Sequence, residues 1–294
     1  MRYLSFSFLF LVATVFCTAE ESEAIDAFAL DAMNLSYLED IYELDHVQAL
    51  AYARAPSPNP YIELHVWEKL TPFFLPDDHP AKADLDSIFS TRVSLTSATL
   101  EAAGFNKPRQ RPHSHLVSSK HPRLKGYLVK LYTDDYPEVD EWKYLLRRIR
   151  GVLAVKSSIK KHGYEHIMKV PKKWIYPLPL EPSPPKGYFR KHFALIVEDM
   201  NIMSSVDNKA LWKGPEMTKE RMDAIYTVLD EVGLCDCVHA FNIPFCKDDM
   251  KIAFIDTEDN KCGPVQFRKM MKYLNHDMKA YLNKLIENDG PKNR

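Results

Sequence analysis

Two oxygen-bearing side chains, Asn242 and Asp256, flank a stretch whose pattern predicts a hairpin. Its short apolar runs are Ile243–Phe245 and Lys251–Ile255, separated by the polar turn Lys247–Asp249. Antiparallel pairing of the two runs would bring Asn242 and Asp256 to the same end of the hairpin. Such oxygen ligands suit Mg²⁺, which takes its remaining ligands from phosphates and water. The alternative is an ordinary surface hairpin in which Asn242 caps a turn and Asp256 ends a strand.

The run Ala253-Phe254-Ile255-Asp256 resembles the metal-binding segment of the protein-kinase-like superfamily, where an Asp follows an apolar strand. The resemblance implies that Asn242 and Asp256 hold the Mg²⁺ or Mn²⁺ of a bound ATP. It also implies a catalytic Asp five residues before the Asn. Cys237 stands at that position and Asp236 one place earlier, so Asp236 is the candidate base. A slow phosphotransferase and a nucleotide-binding pseudokinase both fit this departure.

A lysine, Lys130, lies inside the predicted strand Lys125–Tyr132. Kinase-like folds place a lysine on their third strand, where it holds the nucleotide phosphates and pairs with a Glu on the next helix. A long helix is predicted from near Val139, and Glu141 is its best candidate partner for Lys130. The alternative for Lys130 is a stem packed on the sheet with its charge in solvent.

The strand predicted at His192–Val197 resembles the fifth strand of that family, and the residues after it, beginning with Glu198, resemble the hinge. The resemblance implies that this backbone meets the adenine edge and makes Glu198 a candidate nucleotide-binding residue. A helix predicted over Thr218–Glu231, with Thr218 as its cap and Gly233 as its stop, then leads to the hairpin.

A glycine-rich phosphate loop is missing from the expected place. The chain has nine glycines in 294 residues, which is roughly half the usual proportion. The segment Ser114–Lys125, upstream of the lysine strand, contains none. Backbone amides there would approach a phosphate less closely than glycine allows.

The fold class predicted is α+β, with a kinase-like two-lobed core, a truncated C-terminal lobe and an α-helical N-terminal extension. The truncation follows because a single amphipathic helix, predicted over Pro264–Glu287, succeeds the hairpin. The predicted organisation is a signal peptide (1–19), an acidic helical extension (20–55), a proline-containing linker region (56–92) and the kinase-like domain (93–294).

The N-terminus has the pattern of a secretory signal peptide. Arg2 precedes the apolar run Leu4–Phe16, and small residues follow at Cys17-Thr18-Ala19. The run is too short to span a bilayer comfortably, although an uncleaved anchor is the alternative. No later segment reaches transmembrane length. We therefore expect a protein that is secreted, or that resides in a secretory lumen or a periplasm.

Four cysteines follow the predicted signal peptide, and an even number in an exported chain favours disulfides. They are Cys235, Cys237, Cys246 and Cys262. The first two are too close for a favourable ring, so each is expected to pair with one of the later two. A four-thiolate zinc site is the alternative.

Charge is distributed unevenly along the chain. Residues 20–55 carry nine Asp or Glu against one Arg, whereas residues 106–173 carry seventeen Lys or Arg against six acids. Either the acidic segment lies across the basic one, or the basic segment presents a face to a protein or polyanionic partner.

The function predicted is that of a secreted, divergent kinase-like protein, either an ATP- and metal-dependent phosphotransferase or a nucleotide-binding pseudokinase. The competing prediction is a secreted interaction module that uses the same scaffold without a nucleotide.

Overall fold

The computed structural model describes residues 56–110, 116–138, 140–258, 260–261 and 263–291. The predicted signal peptide and acidic helical extension lie outside these residues. Residues 48–294 form one compact unit, and a second unit, residues 1–47, belongs wholly to the part that is not described.

The described chain combines helices and strands, which confirms the α+β class. Its α helices are α1 (Leu64–Leu70), α2 (Lys82–Ile88), α3 (Ser97–Ala102), α4 (Glu141–His162), α5 (Ser205–Lys213), α6 (Lys219–Val232) and α7 (His276–Glu287). Its strands are β1 (Arg109–Gln110), β2 (Leu116–Ser119), β3 (Tyr127–Tyr132), β4 (Met168–Lys169), β5 (Lys173–Pro177), β6 (Phe193–Glu198) and β7 (Ile252–Ala253). Short 3₁₀ helices cover Thr71–Phe73, Tyr164–His166, Cys235–Val238 and Phe267–Tyr273.

The main sheet has five strands in the order β1-β2-β3-β6-β5, and every neighbouring pair is antiparallel. β6, which lies between β3 and β5, is buried from Phe193 to Val197. Such burial is expected for an almost continuous apolar run that is covered on both faces. A separate pair joins β4 to β7 in parallel.

The long helix α4 connects the sheet to the helical part of the molecule. It contacts β5 and β6 as well as α6. Towards its end, Val155 and Ile159 enter an apolar core with Trp212, Ile225 and Leu282. The helix ends at Gly163, whose φ of 69° is left-handed and suits glycine.

The helix predicted over Thr218–Glu231 forms as α6. The Thr218 side chain accepts a hydrogen bond from Arg221 N at 3.2 Å, and Gly233 ends the helix with a φ of 68°. Both signals are local, which is why the sequence sufficed.

The single helix predicted over Pro264–Glu287 is wrong. A 3₁₀ helix, Phe267–Tyr273, comes first and α7 begins only at His276. Asn275 separates them, because its side-chain oxygen accepts a hydrogen bond from Met278 N at 2.9 Å and caps a new helix.

The proline-containing residues 56–92 are part of the folded unit rather than a linker. Leu70 and Leu85 are fully buried. Leu75 N donates to Ile175 O at 2.8 Å, which attaches the segment to the edge strand β5. The prolines stop the helices early, but the apolar residues between them still pack on the sheet.

Part of the basic charge in residues 106–173 is compensated within the same unit. The described residues include these ion pairs: Lys120–Asp199, Arg123–Asp84, Lys143–Asp140, Arg148–Asp256, Lys161–Glu231 and Lys169–Asp249. At these positions the segment needs neither the acidic extension nor a polyanion to balance it. A polyanionic or protein partner for the basic segment stays a prediction.

Over the described ranges, no helix combines the length and the apolar character needed to cross a membrane.

Candidate functional site

The backbone between Asn242 and Asp256 pairs as a hairpin, although little of it is regular strand. Ile255 N donates to Asn242 O at 3.0 Å, and Phe245 forms an antiparallel bridge with Ile252. Asn242 and Asp256 therefore lie at the same end of the hairpin. The second run of the hairpin contains β7, which also pairs with β4. This pairing attaches the hairpin to the residues that follow α4.

Two lysines project towards this end from one face of the sheet. Lys130 on β3 pairs with Leu195, and Lys173 on β5 pairs with Val197. Because Leu195 and Val197 are two residues apart on β6, the lysines share a face. Lys173 was not among the candidate residues predicted from the sequence. Its position at the start of an apolar run was the available signal.

Both lysines contact the segment around Asp256. Lys130 Nζ lies 3.4 Å from Ile255 O, and Lys173 Nζ donates to Thr257 Oγ1 at 2.8 Å. Lys173 is fully buried. Burial, followed by the charge of Lys130, lowers the pKa of Lys173 well below its ordinary range.

Arg148, on α4, holds the carboxylates of this segment. Its Nη1 donates to Asp256 Oδ1 at 2.6 Å, and its Nη2 donates to Glu258. Burial opposes the charge of Arg148, but Asp256 and Glu258 outweigh it and raise the pKa of the guanidinium. Arg148 is thus a permanent cation bonded to the predicted metal ligand.

Thr257 fastens the same segment to α4. Its hydroxyl donates to Arg148 O at 2.6 Å. Close approach is possible because α4 carries Gly151 at this point: a Cβ there would lie 1.8 Å from Thr257 O. The glycine allows the backbone after Asp256 to lie directly on the helix.

Glu141 does not meet Lys130. Its Oε1 accepts from His192 N at 2.6 Å, at the start of β6. Lys130 pairs with Leu195 of the same strand. Leu195 lies three residues, or about 10 Å, beyond His192. The predicted ion pair is therefore wrong. Arg148 lies seven residues after Glu141, on the same face of α4, and it is this side chain that reaches the site.

Glu198 ends β6, where its carboxylate accepts from Lys172 N at 3.0 Å. The structure therefore places Glu198 on β6, beside the neighbouring strand β5 that carries Lys173. A role at the adenine edge stays a prediction.

Asp236 is exposed, in the 3₁₀ helix Cys235–Val238. The next residue, Cys237, is fully buried and its thiol donates to Asp256 O at 2.9 Å. Asn242 Nδ2 donates to the backbone oxygen of Asp236 at 2.8 Å. Asn242 therefore holds the Asp236 backbone, while a thiol rather than a carboxylate turns towards Asp256.

Cys237 and Cys246 are buried and form no disulfide. The expectation that Cys235 and Cys237 each form a disulfide is therefore wrong for Cys237. Cys235 Sγ lies 3.7 Å from Gly263 O, next in sequence to Cys262, which lies outside the described residues. A disulfide between Cys235 and Cys262 stays a prediction.

The implied metal does not fit this arrangement of side chains. Asp256 already bonds to Arg148, and a divalent ion on the same carboxylate would come close to a buried guanidinium of like charge. Within the described ranges, no group of three or more His, Cys, Asp or Glu is placed to hold a metal.

No known family model matches the chain, and no curated protein matches it. The arguments for a function therefore rest on this geometry.

Proposed function

We propose that this chain is a divergent kinase-like protein that binds a nucleotide between the sheet and the hairpin. The observation that carries the proposal is the 3.4 Å approach of Lys130 Nζ to Ile255 O. It brings a strand lysine to the residue before Asp256. A site for nucleotide phosphates needs a cation held in such a rigid place.

The order of elements supports a kinase-like two-lobed core. The lysine lies on the central strand β3, and α4 follows and contacts the sheet. β6 then leads through Glu198 towards α6, the Asn242 loop and the hairpin. After the hairpin the described chain adds the 3₁₀ helix Phe267–Tyr273 and α7.

Binding is favoured over phosphoryl transfer. A general base must lie within hydrogen-bond reach of the acceptor hydroxyl. The exposed Asp236 precedes the expected position by one residue, and Cys237 occupies that position with its thiol bonded to the backbone. A pseudokinase is therefore the better proposal, exported if residues 1–19 act as a signal peptide.

The alternative is a secreted interaction module that binds no nucleotide. The ion pair between Arg148 and Asp256 favours it, since the acid is balanced without any ligand.

Thermal denaturation of the mature chain with ATP tests the proposal. ATP at about 100 times its dissociation constant should stabilise the protein by roughly 2.7 kcal/mol. Lys130→Met should weaken binding about tenfold or more, because a charge-assisted hydrogen bond to phosphate is lost. Lys125→Met removes an exposed lysine just before the same strand and should leave the affinity unchanged.

Two results would decide against a nucleotide site between the sheet and the hairpin. If ATP does not stabilise the parent protein, with or without Mg²⁺ or Mn²⁺, the interaction module remains as the proposed function. Equal affinity in the Lys130→Met variant would mean that any nucleotide binds elsewhere.

A further inference from the structure

The charges at the site balance without a metal. Asp256 and Glu258 supply two carboxylates, and Arg148 and Lys130 supply two cations. Lys173 adds a further N–H donor from the same face of the sheet. Among the described residues of this site, two carboxylates therefore face two cations.

The kinase-like resemblance implies a different balance. There the helix contributes a Glu and the hairpin an Asp, against one lysine, and metal ions bridge the phosphate oxygens of the nucleotide and neutralise their charge. In this chain the helical residue that reaches the hairpin is Arg148, which reverses the sign of that contribution. Glu141 lies about two turns earlier and is bonded to His192 N.

Arg148 is held firmly in this place. Its side chain is 6 % exposed, and its two carboxylate partners are 23 % and 19 % exposed. Its Nε is buried without a hydrogen-bond acceptor among the described residues, so the two carboxylates do not use all its donors. A guanidinium also suits phosphate, because its planar fork of donors matches phosphate oxygens.

We propose that Arg148 takes the electrostatic place of the divalent metal, so that this site binds nucleotide phosphates without Mg²⁺ or Mn²⁺. The inference rests on the proposed nucleotide site and adds how its charge is balanced. A bound metal would have to displace Arg148 from Asp256, whereas phosphate oxygens would meet the half-buried Lys130 with the charge of Arg148 close behind it.

Titration of the mature chain with ATP by calorimetry, once in EDTA and once in excess Mg²⁺, tests this. The dissociation constants in the two arms should agree within about threefold. Mn²⁺ alone should leave the melting temperature unchanged. If metal tightens ATP binding by about tenfold or more, Arg148 does not replace it, although the nucleotide site stands. If ATP binds in neither arm, both proposals fail.

A pair of variants on α4 gives a second reading. Arg148→Gln should weaken ATP binding in EDTA by about tenfold or more and make binding respond to Mg²⁺. Arg147→Gln, at an exposed neighbour on the same helix, should change neither value. An Arg148→Gln variant with unchanged affinity in EDTA would overturn the inference. If that variant does not fold, the two-arm titration of the parent still decides.

Discussion

Glutamine at Glu141 should stabilise the protein above about pH 7 and change how its stability depends on pH. Glu141 is fully buried at the start of α4. Its Oε1 accepts from His192 N at 2.6 Å, and its Oε2 is buried without a hydrogen-bond partner among the described residues. Burial raises the pKa of Glu141 from 4.5 to about 7, against the opposing hydrogen bond from His192.

Between these two pKa values the folded protein holds a proton that the unfolded chain has lost. The stabilisation from Glu141 is therefore complete below pH 4.5 and is lost as the pH rises to about 7. The loss is about 3 kcal/mol. Glutamine keeps the acceptor for His192 but buries an unpaired NH₂, which costs about 1–2 kcal/mol. The variant should thus gain about 1–2 kcal/mol above pH 7.

His192 opposes Glu141 in acid. Burial, then the charges of Arg190, Arg92 and Lys191, lowers the pKa of His192 from 6.5 to about 4. The unfolded chain takes up a proton there that the folded protein excludes, so stability falls as the pH drops through this range. In the parent, the pH dependences that Glu141 and His192 give to the free energy of unfolding partly cancel. In Glu141→Gln only the contribution of His192 remains of these two, so the free energy of unfolding should fall steadily towards acid.

Urea denaturation of parent and variant from about pH 5 to about pH 8 measures both slopes. Glu165→Gln, at an exposed glutamate just beyond α4, serves as the control and should follow the parent. Parallel profiles for parent and Glu141→Gln, or a variant less stable at the alkaline end, would show that the buried carboxylate is not ionised as argued.

Alanine at Gly151 should destabilise the protein, although alanine normally favours a helix by about 1 kcal/mol, because its Cβ would lie 1.8 Å from Thr257 O; a higher melting temperature would contradict this. Lys173→Met should remove a pH dependence. Burial lowers the pKa of Lys173, so the free energy of unfolding of the parent falls as the pH drops below 10.5. Measured by denaturation at about pH 10 and about pH 8, this fall should be smaller in the variant than in the parent. Mass spectrometry after alkylation of unfolded, unreduced mature chain should show two labelled cysteines, since we expect Cys235 and Cys262 to be linked; four labels would refute the disulfide.

Local signals in the sequence were enough to predict several elements. Thr218 and Gly233 bound α6 because a cap and a left-handed stop act within one turn. The apolar runs of β3 and β6 and the periodicity of α4 likewise depend on neighbours along the chain. The pairing that brings Asn242 near Asp256 followed from the hairpin for the same reason.

Only the tertiary structure decided which side chains meet at the site. Arg148 and Asp256 are 108 residues apart in the chain, and Lys173 and Thr257 are 84 apart. Glu141 and Arg148 share one face of α4, so helical periodicity cannot distinguish them. Which one reaches the hairpin depends on where the helix lies along its own axis. A shift of two turns, about 11 Å, would exchange a glutamate for an arginine, and the approach of Thr257 to Gly151 sets that position.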